Sequence, residues 1–280
     1  MTTVSPPAAA AHHLVEVGGL FRALWSYRHY ILAGALRDLK QRYAGSGMGI
    51  LWHVITPLTQ IAVYFVVFSR FMGARSGGSY SPETYAVFLC AGILPWFVFA
   101  DCVGRGTSAL LSNEAYLKKL AIPEAVFVAQ TVATAGLTLG LYALALAAIA
   151  IATGTPPRLA WILIPPVLLL FLGLGFGLAL ILATVTVFFR DVTQIMSIVL
   201  QFWFWLTPIV YDETSLGPRL TAVMRWNPPT AYILAVRRLL LEGTVPAAAD
   251  WLWMAGLAVL LSALGASILQ RLSSDLRDAL

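Results

Sequence analysis

At 280 residues, 59% hydrophobic and only 11% charged, with a mean hydropathy of +0.81, the chain has more apolar surface than a soluble domain of its size could bury. Lipid must cover much of it, which points to one membrane domain and no separate soluble one. The net charge of +5 is small, and Lys and Arg collect at helix ends with no basic face interleaved with stacking residues, so nucleic acid is not implied as a partner.

In chain order, residues 1–19 have no basic start and no long apolar core, so they are expected to be a flexible tail and not a cleavable signal peptide. Helical periodicity then sets in over 20–43, with Phe21, Leu24, Trp25, Ile31, Leu36 and Leu39 against Arg22, Arg28, Arg37, Lys40 and Arg42. Such a helix suits the membrane surface, apolar side chains in the acyl boundary and basic ones on the headgroups of membrane lipids. A first span is predicted over about 50–71. It carries Trp52, His53, Thr56, Pro57 and Gln60 in its first half and Tyr64, Phe65 and Phe68 in its second. Polar groups and a proline persist in lipid only where protein or water satisfies them, so that face is expected to look into the protein or a passage.

The second span covers 84–104, with Ser81 offering an N-cap, Pro82 the first helical position and Asp101 near the exit. Cys90 and Cys102 are too far apart along one helix for a disulfide. A short polar helix at 108–120 follows. It could be an inert connector, but Tyr116 and Leu117 as apolar anchors beside Lys118 and Lys119 also suit docking into a groove on another subunit. The third span, 123–152, sits in an uncharged stretch too long to stand upright. Gly136 with Gly140, and Gly173 with Gly177 in the fourth span at 159–189, allow close helix approach, within the chain more often than between chains.

Arg190 and Asp191 then mark a water boundary, since each costs roughly 2.5 to 3.5 kcal/mol at mid-bilayer. The fifth span, 192–211, has no Asp, Glu, Lys or Arg until after Tyr211 and contains the aromatic run Phe202 to Trp205. Within the long loop 212–250, the apolar piece 229–236 is too short to cross about 30 Å of hydrocarbon, so a re-entrant or surface helix pair is expected. The last span is 251–270, and the membrane domain as a whole runs 20–272 before a charged tail, 273–280. The predicted fold class is an all-α integral membrane protein of six transmembrane helices. Eleven basic residues fall on one side, against Arg70, Arg75 and Arg158 in the short loops of the other, which puts both termini in the cytoplasm.

No paired carboxylates within a span, metal-ligand spacing, G-x-S-x-G or Walker G-x-x-x-x-G-K-[ST] occurs, so neither an enzyme nor a resident metal or cofactor is expected. An ion-coupled carrier should show ionisable groups at mid-membrane, and this chain has essentially none. If it moves something, the energy must enter from elsewhere. Arg237, Arg238 and Glu242 are the only candidate cluster outside the cytoplasm that a membrane-embedded glycosyltransferase could use, and a helix-end role fits them better.

Four stretches, RDLKQRYAGSGMGILWHVITPL, GILPWFVFADCVGRGTSALLSNEAYLKK, FFRDVTQIMSIVLQFWFWLTPIVY and WNPPTAYILAVRRLLLEG, resemble in content and order the ABC-2 type permeases that export polysaccharides such as O-antigen, capsule, teichoic acid and galactan. The resemblance implies a homodimer in the bacterial inner membrane, joined to two separate ATP-binding subunits that hold ATP and Mg, with a lipid-linked polysaccharide as cargo. It places Asn113, Glu114, Tyr116, Leu117, Lys118 and Lys119 on the coupling helix that contacts the ATPase. It sets Arg42, Tyr43, Phe189, Arg190 and Asp191 at the cytoplasmic entrance. It also implies an aromatic lining of Trp52, Tyr64, Phe65, Phe68, Phe202, Trp203 and Trp205, on which the C–H faces of sugar rings can stack and slide. The chain departs from the family at Ile122-Pro123-Glu124-Ala125, an acidic residue where relatives commonly carry arginine. An exporter of drugs or small lipids on the same fold is the alternative reading.

Overall fold

The computed structural model describes residues 17–42, 47–72, 81–120, 122–213 and 217–279, and every regular element among them is a helix. Of the tail expected over 1–19, residues 1–16 lie outside them and 17–19 already belong to the first helix. The N-terminal amphipathic stretch is broken at Tyr27 into α1 (Val17–Ser26) and α2 (Arg28–Gln41). A 3-10 turn leads into α3 (Trp52–Met72), followed by α4 (Pro82–Thr107), the short α5 (Ala109–Ser112) and α6 (Glu114–Lys119), then α7 (Glu124–Ala152). A second 3-10 turn, Leu159–Leu163, enters α8 (Ile164–Phe188); α9 (Val192–Leu206), α10 (Pro218–Arg225), α11 (Pro228–Arg237), α12 (Ala248–Arg271) and α13 (Ser273–Ala279) complete the chain.

Local chemistry explains most of the boundaries. Ser81 Oγ accepts the Thr84 amide at 3.3 Å and Pro82 takes the first turn, so α4 starts where the spacing predicts. Glu124 sits in the first turn of α7 behind Pro123, where the helix dipole favours a carboxylate. The aromatic α9 ends at Leu206, short of Tyr211, because Pro208 removes a backbone donor and the chain turns back.

Among the described residues four helical segments are long and apolar enough to cross a membrane: Glu83–Thr107, Glu124–Ala152, Leu159–Phe188 and Ala248–Arg271, with shorter apolar helices at Ile55–Val67 and Val192–Leu206. The protein is a multi-pass membrane protein. α8 is central, packed by α4, α7, α11 and α12. Along α8 the core is aromatic: Phe171 stacks on Phe99 at 4.6 Å and on Tyr232 at 4.9 Å, each such pair contributing about 0.5–1.5 kcal/mol beyond its area. Two buried threonines are satisfied within their own helices, Thr138 on Thr134 O and Thr184 on Leu180 O.

The two glycine pairs behave differently. A methyl on Gly177 would lie 2.5 Å from the backbone of Leu261 and Ser262, and one on Gly173 would meet Ala258 at 3.4 Å, so this pair sets the α8–α12 seam inside the chain. Gly136 has only Leu172 in contact range and Gly140 faces open space. Gly177→Ala is therefore expected to cost about 2 kcal/mol or more through backbone overpacking, while Gly140→Ala stays within about 0.5 kcal/mol. Thermal melting of the two variants in detergent checks this.

Candidate functional site

α6 is a short, largely exposed helix that with α5 joins the long α4 and α7. Its N-terminal neighbour α5 is anchored by buried Ala109 and Leu110, and Asn113 Nδ2 donates to Ala109 O at 2.8 Å, which fixes the angle at which α6 leaves α5. Lys118 Nζ donates to Glu114 Oε1 at 2.6 Å along the helix. That bond and the lysine's charge hold the Glu114 carboxyl below the usual range, with a smaller contribution from Arg190. Arg190 thus lies near α6, on the same side of the molecule. Tyr116 projects outward at 56% exposure, whereas Leu117, at 8%, packs into the core with Leu110, Phe127 and Leu180. The two expected anchors therefore differ: only Tyr116 offers an apolar surface to a partner. Lys119 is exposed at the helix end.

At the α8–α9 corner, Phe189, Arg190 and Asp191 are all exposed, with Phe189 breaking the helix between the two long segments. Tyr43 and the side chain of Phe68 lie outside the described residues. Arg42 is half-buried as the C-terminal residue of the surface helix and reaches Asp101 Oδ2 at 2.8 Å.

Beside that pair opens a crevice of about 260 Å³, walled by α3, α4 and α7. Trp52, Gln60 and Tyr142 line it together with Arg42, Asp101 and Thr138. Aromatic faces, planar polar side chains and hydroxyls meet here, and the internal Arg42–Asp101 pairing leaves the pair itself without net charge. That composition suits a neutral, hydroxyl-rich group better than a free anion.

The remaining aromatics fall into two sets. Trp203 points inward, edge-on to Trp96 and Phe99, and its indole donates to Asn227 Oδ1 at 2.7 Å; Asn227 in turn holds Leu206 O and Thr207 Oγ1, tying the end of α9 to the start of α11. Phe204, which the sequence reading did not single out, is the buried link, stacked on Tyr64 at 5.8 Å and T-shaped to Trp205 at 5.2 Å. Phe65 is partly buried and sits by Tyr85. Phe202 and Trp205 are outward at 65% and 49% exposure, on the same face of α9 as Ile195 and Ile198. On α3, Trp52 and Val63 are exposed as well. Among the described residues Phe202, Trp205 and Trp52 are thus the exposed aromatics of the expected lining, while Trp203 turns inward.

Arg237 also departs from expectation. It does not sit at an interface with Arg238 and Glu242 but is buried, donating to Phe88 O, Pro208 O and Ile209 O with its guanidinium over the Phe88 ring. Arg238 turns to Glu213 and Glu242 accepts from Thr244, so the three charges do not converge. Among the described residues no group of three or more His, Cys, Asp or Glu could hold a metal ion.

A sequence profile described as ABC-2 type transporter matches residues 30–241. The O-antigen export system permease protein RfbA of Myxococcus xanthus is 27% identical over 263 residues, covering 93% of this chain and 99% of that protein. A protein of the same name from Klebsiella pneumoniae is 28% identical over 210 residues, 75% of this chain and 79% of the relative.

Proposed function

Because this chain belongs to the ABC-2 type transporter family, we propose that it is the membrane permease of an ATP-driven exporter that moves a lipid-linked polysaccharide of O-antigen type out of the cytoplasm. The observation that carries this reading is the likeness to the Myxococcus xanthus permease across 99% of that protein's length. In it, α3, α4, α7, α8, α9 and α12 are six spans, the shorter α3 and α9 completing their crossings beside the four longer segments. Both termini lie in the cytoplasm of a bacterial inner membrane, and α10 and α11 form a re-entrant pair on the far side. The permease acts as a homodimer bound to two ATP-binding subunits, which hold ATP and Mg and perform the hydrolysis; this chain itself catalyses nothing and needs no cofactor.

In this arrangement α6 is the contact to the ATPase, with Tyr116 as its apolar anchor and Glu114, Lys118 and Lys119 around it. Cargo enters past Arg42, Tyr43, Phe189, Arg190 and Asp191. It then travels along aromatics of α3 and α9, stacking sugar faces without any one tight site. Residues 20–272 form the whole transport domain.

Reconstitution tests the reading. Proteoliposomes holding the permease and its ATP-binding partner, loaded with a fluorescent undecaprenyl-linked polysaccharide, should move it on ATP addition, with no uphill movement by the permease alone. Transport driven by a proton or sodium gradient would overturn the proposal. ATP-driven movement of small lipids or drugs, with the polysaccharide ignored, would assign the alternative cargo instead.

A further inference from the structure

Four charges join the surface helix to the membrane domain. Asp38 and Arg42 lie one turn apart at the end of α2, and Asp101 and Arg105 lie one turn apart near the end of α4. The helix ends meet with the signs crossed. Arg42 bonds Asp101 Oδ2 at 2.8 Å and Arg105 bonds Asp38 Oδ2, while the two pairs within each helix stand at 3.9 Å. Each charge thus has two opposite neighbours and no like one adjacent, a closed ring of net zero charge. Its side chains are only 20–33% exposed, so water screens the ring less than it would a surface pair.

The position of the ring matters as much as its geometry. Arg105 is in the last turn of α4, which passes through Thr107 and Ser108 directly into α5 and α6. α5 is packed on α7 and α8, so the path from the exposed Tyr116 to Arg105 runs through short helices held against the membrane domain. On the other side of the ring, α2 packs along α7 and leads toward α3 and the crevice bearing Trp52. The ring is not fully satisfied: Arg105 Nη1 is buried without a hydrogen-bond partner among the described residues, 3.9 Å from Asp101 Oδ2.

We propose that Asp38, Arg42, Asp101 and Arg105 are positioning residues for export: they couple displacement of α5 and α6 to the surface helix α2, and through it to the cytoplasmic mouth. This rests on the reading of α6 as the ATPase contact.

Inversion of the ring tests it. D38R/R42D alone, or D101R/R105D alone, sets like charges against each other across the α2–α4 seam. All four substitutions together restore a ring of alternating sign. In the reconstituted permease–ATPase complex, each half-inversion is expected to lower polysaccharide exported per ATP hydrolysed at least tenfold with the complex still assembled. The full inversion should recover most of it. D101N, which keeps the shape and removes one charge, should lower the same ratio a few-fold with the melting temperature little changed.

Unchanged export per ATP in the half-inverted or D101N complexes would overturn the proposal. So would loss of assembly in the half-inversions with D101N silent, which would leave the ring a purely structural clamp. Failure of the unmodified complex to export on ATP would instead count against the function proposed above, so the two failures are distinguishable.

Discussion

Tyr116→Glu is expected to reduce ATP-driven export at least tenfold, equivalent to about 1.4 kcal/mol of lost coupling or docking, while leaving insertion and melting temperature unchanged. The tyrosine is 56% exposed on α6, so a carboxylate there meets water in the free permease and disturbs nothing inside it. Placed in an apolar groove of the ATPase, the same carboxylate would be desolvated without a partner. Leu117→Glu is the informative contrast, because Leu117 is buried in this chain's own core and its replacement should lower stability whether or not the ATPase is present. The measurement is co-purification of the ATP-binding subunit together with export in proteoliposomes. Normal export by Tyr116→Glu would remove α6 as the point of contact.

The second large effect is expected at Arg237. Arg237→Ala strands the carbonyls of Pro208 and Ile209, which lie outside any helix, each buried unsatisfied group costing about 1–3 kcal/mol, for a total loss of about 2 kcal/mol or more; Phe88 O, in mid-helix, keeps its helical partner. Arg237→Lys should not rescue, because an ammonium cannot present the planar fork that reaches three carbonyls at once. Arg238→Ala should cost less than about 1 kcal/mol, since its contact with Glu213 is 3.5 Å long and partly exposed. Thermal melting and proteolysis of the segment after α9 distinguish the three. A silent Arg237→Ala would show that the α4–α9–α11 junction is held by its aromatics alone.

Both predictions concern residues whose type was plain in the sequence and whose setting was not. Tyr116 and Leu117 are adjacent, apolar and equivalent in a linear reading. The orientation of α6 on α5, set by the Asn113 bond and by Leu110 in the core, makes one a surface and the other an interior residue. Arg237 looks like one of a basic helix-end pair until three chain segments converge on it. Trp203 shows the same limit: in the run Phe202 to Trp205 the outer two residues are exposed and the inner two turn inward, and the bond to Asn227 marks which indole is held inside. The charge ring was half-legible, because Asp38 with Arg42 and Asp101 with Arg105 are each opposite charges one helical turn apart. Nothing in the linear order said that these two pairs face each other.

The sequence by itself determined the membrane class, the long apolar helices and the break at Arg190-Asp191. These follow from transfer free energy and backbone chemistry, which are summed residue by residue along a segment. Tertiary structure alone decided which glycine pair is a seam, which aromatics are interior, what Arg237 holds and how α2 is tied to α4. Those outcomes depend on which helix faces meet, and faces separated by tens of residues in the chain are paired by packing, not by local propensity.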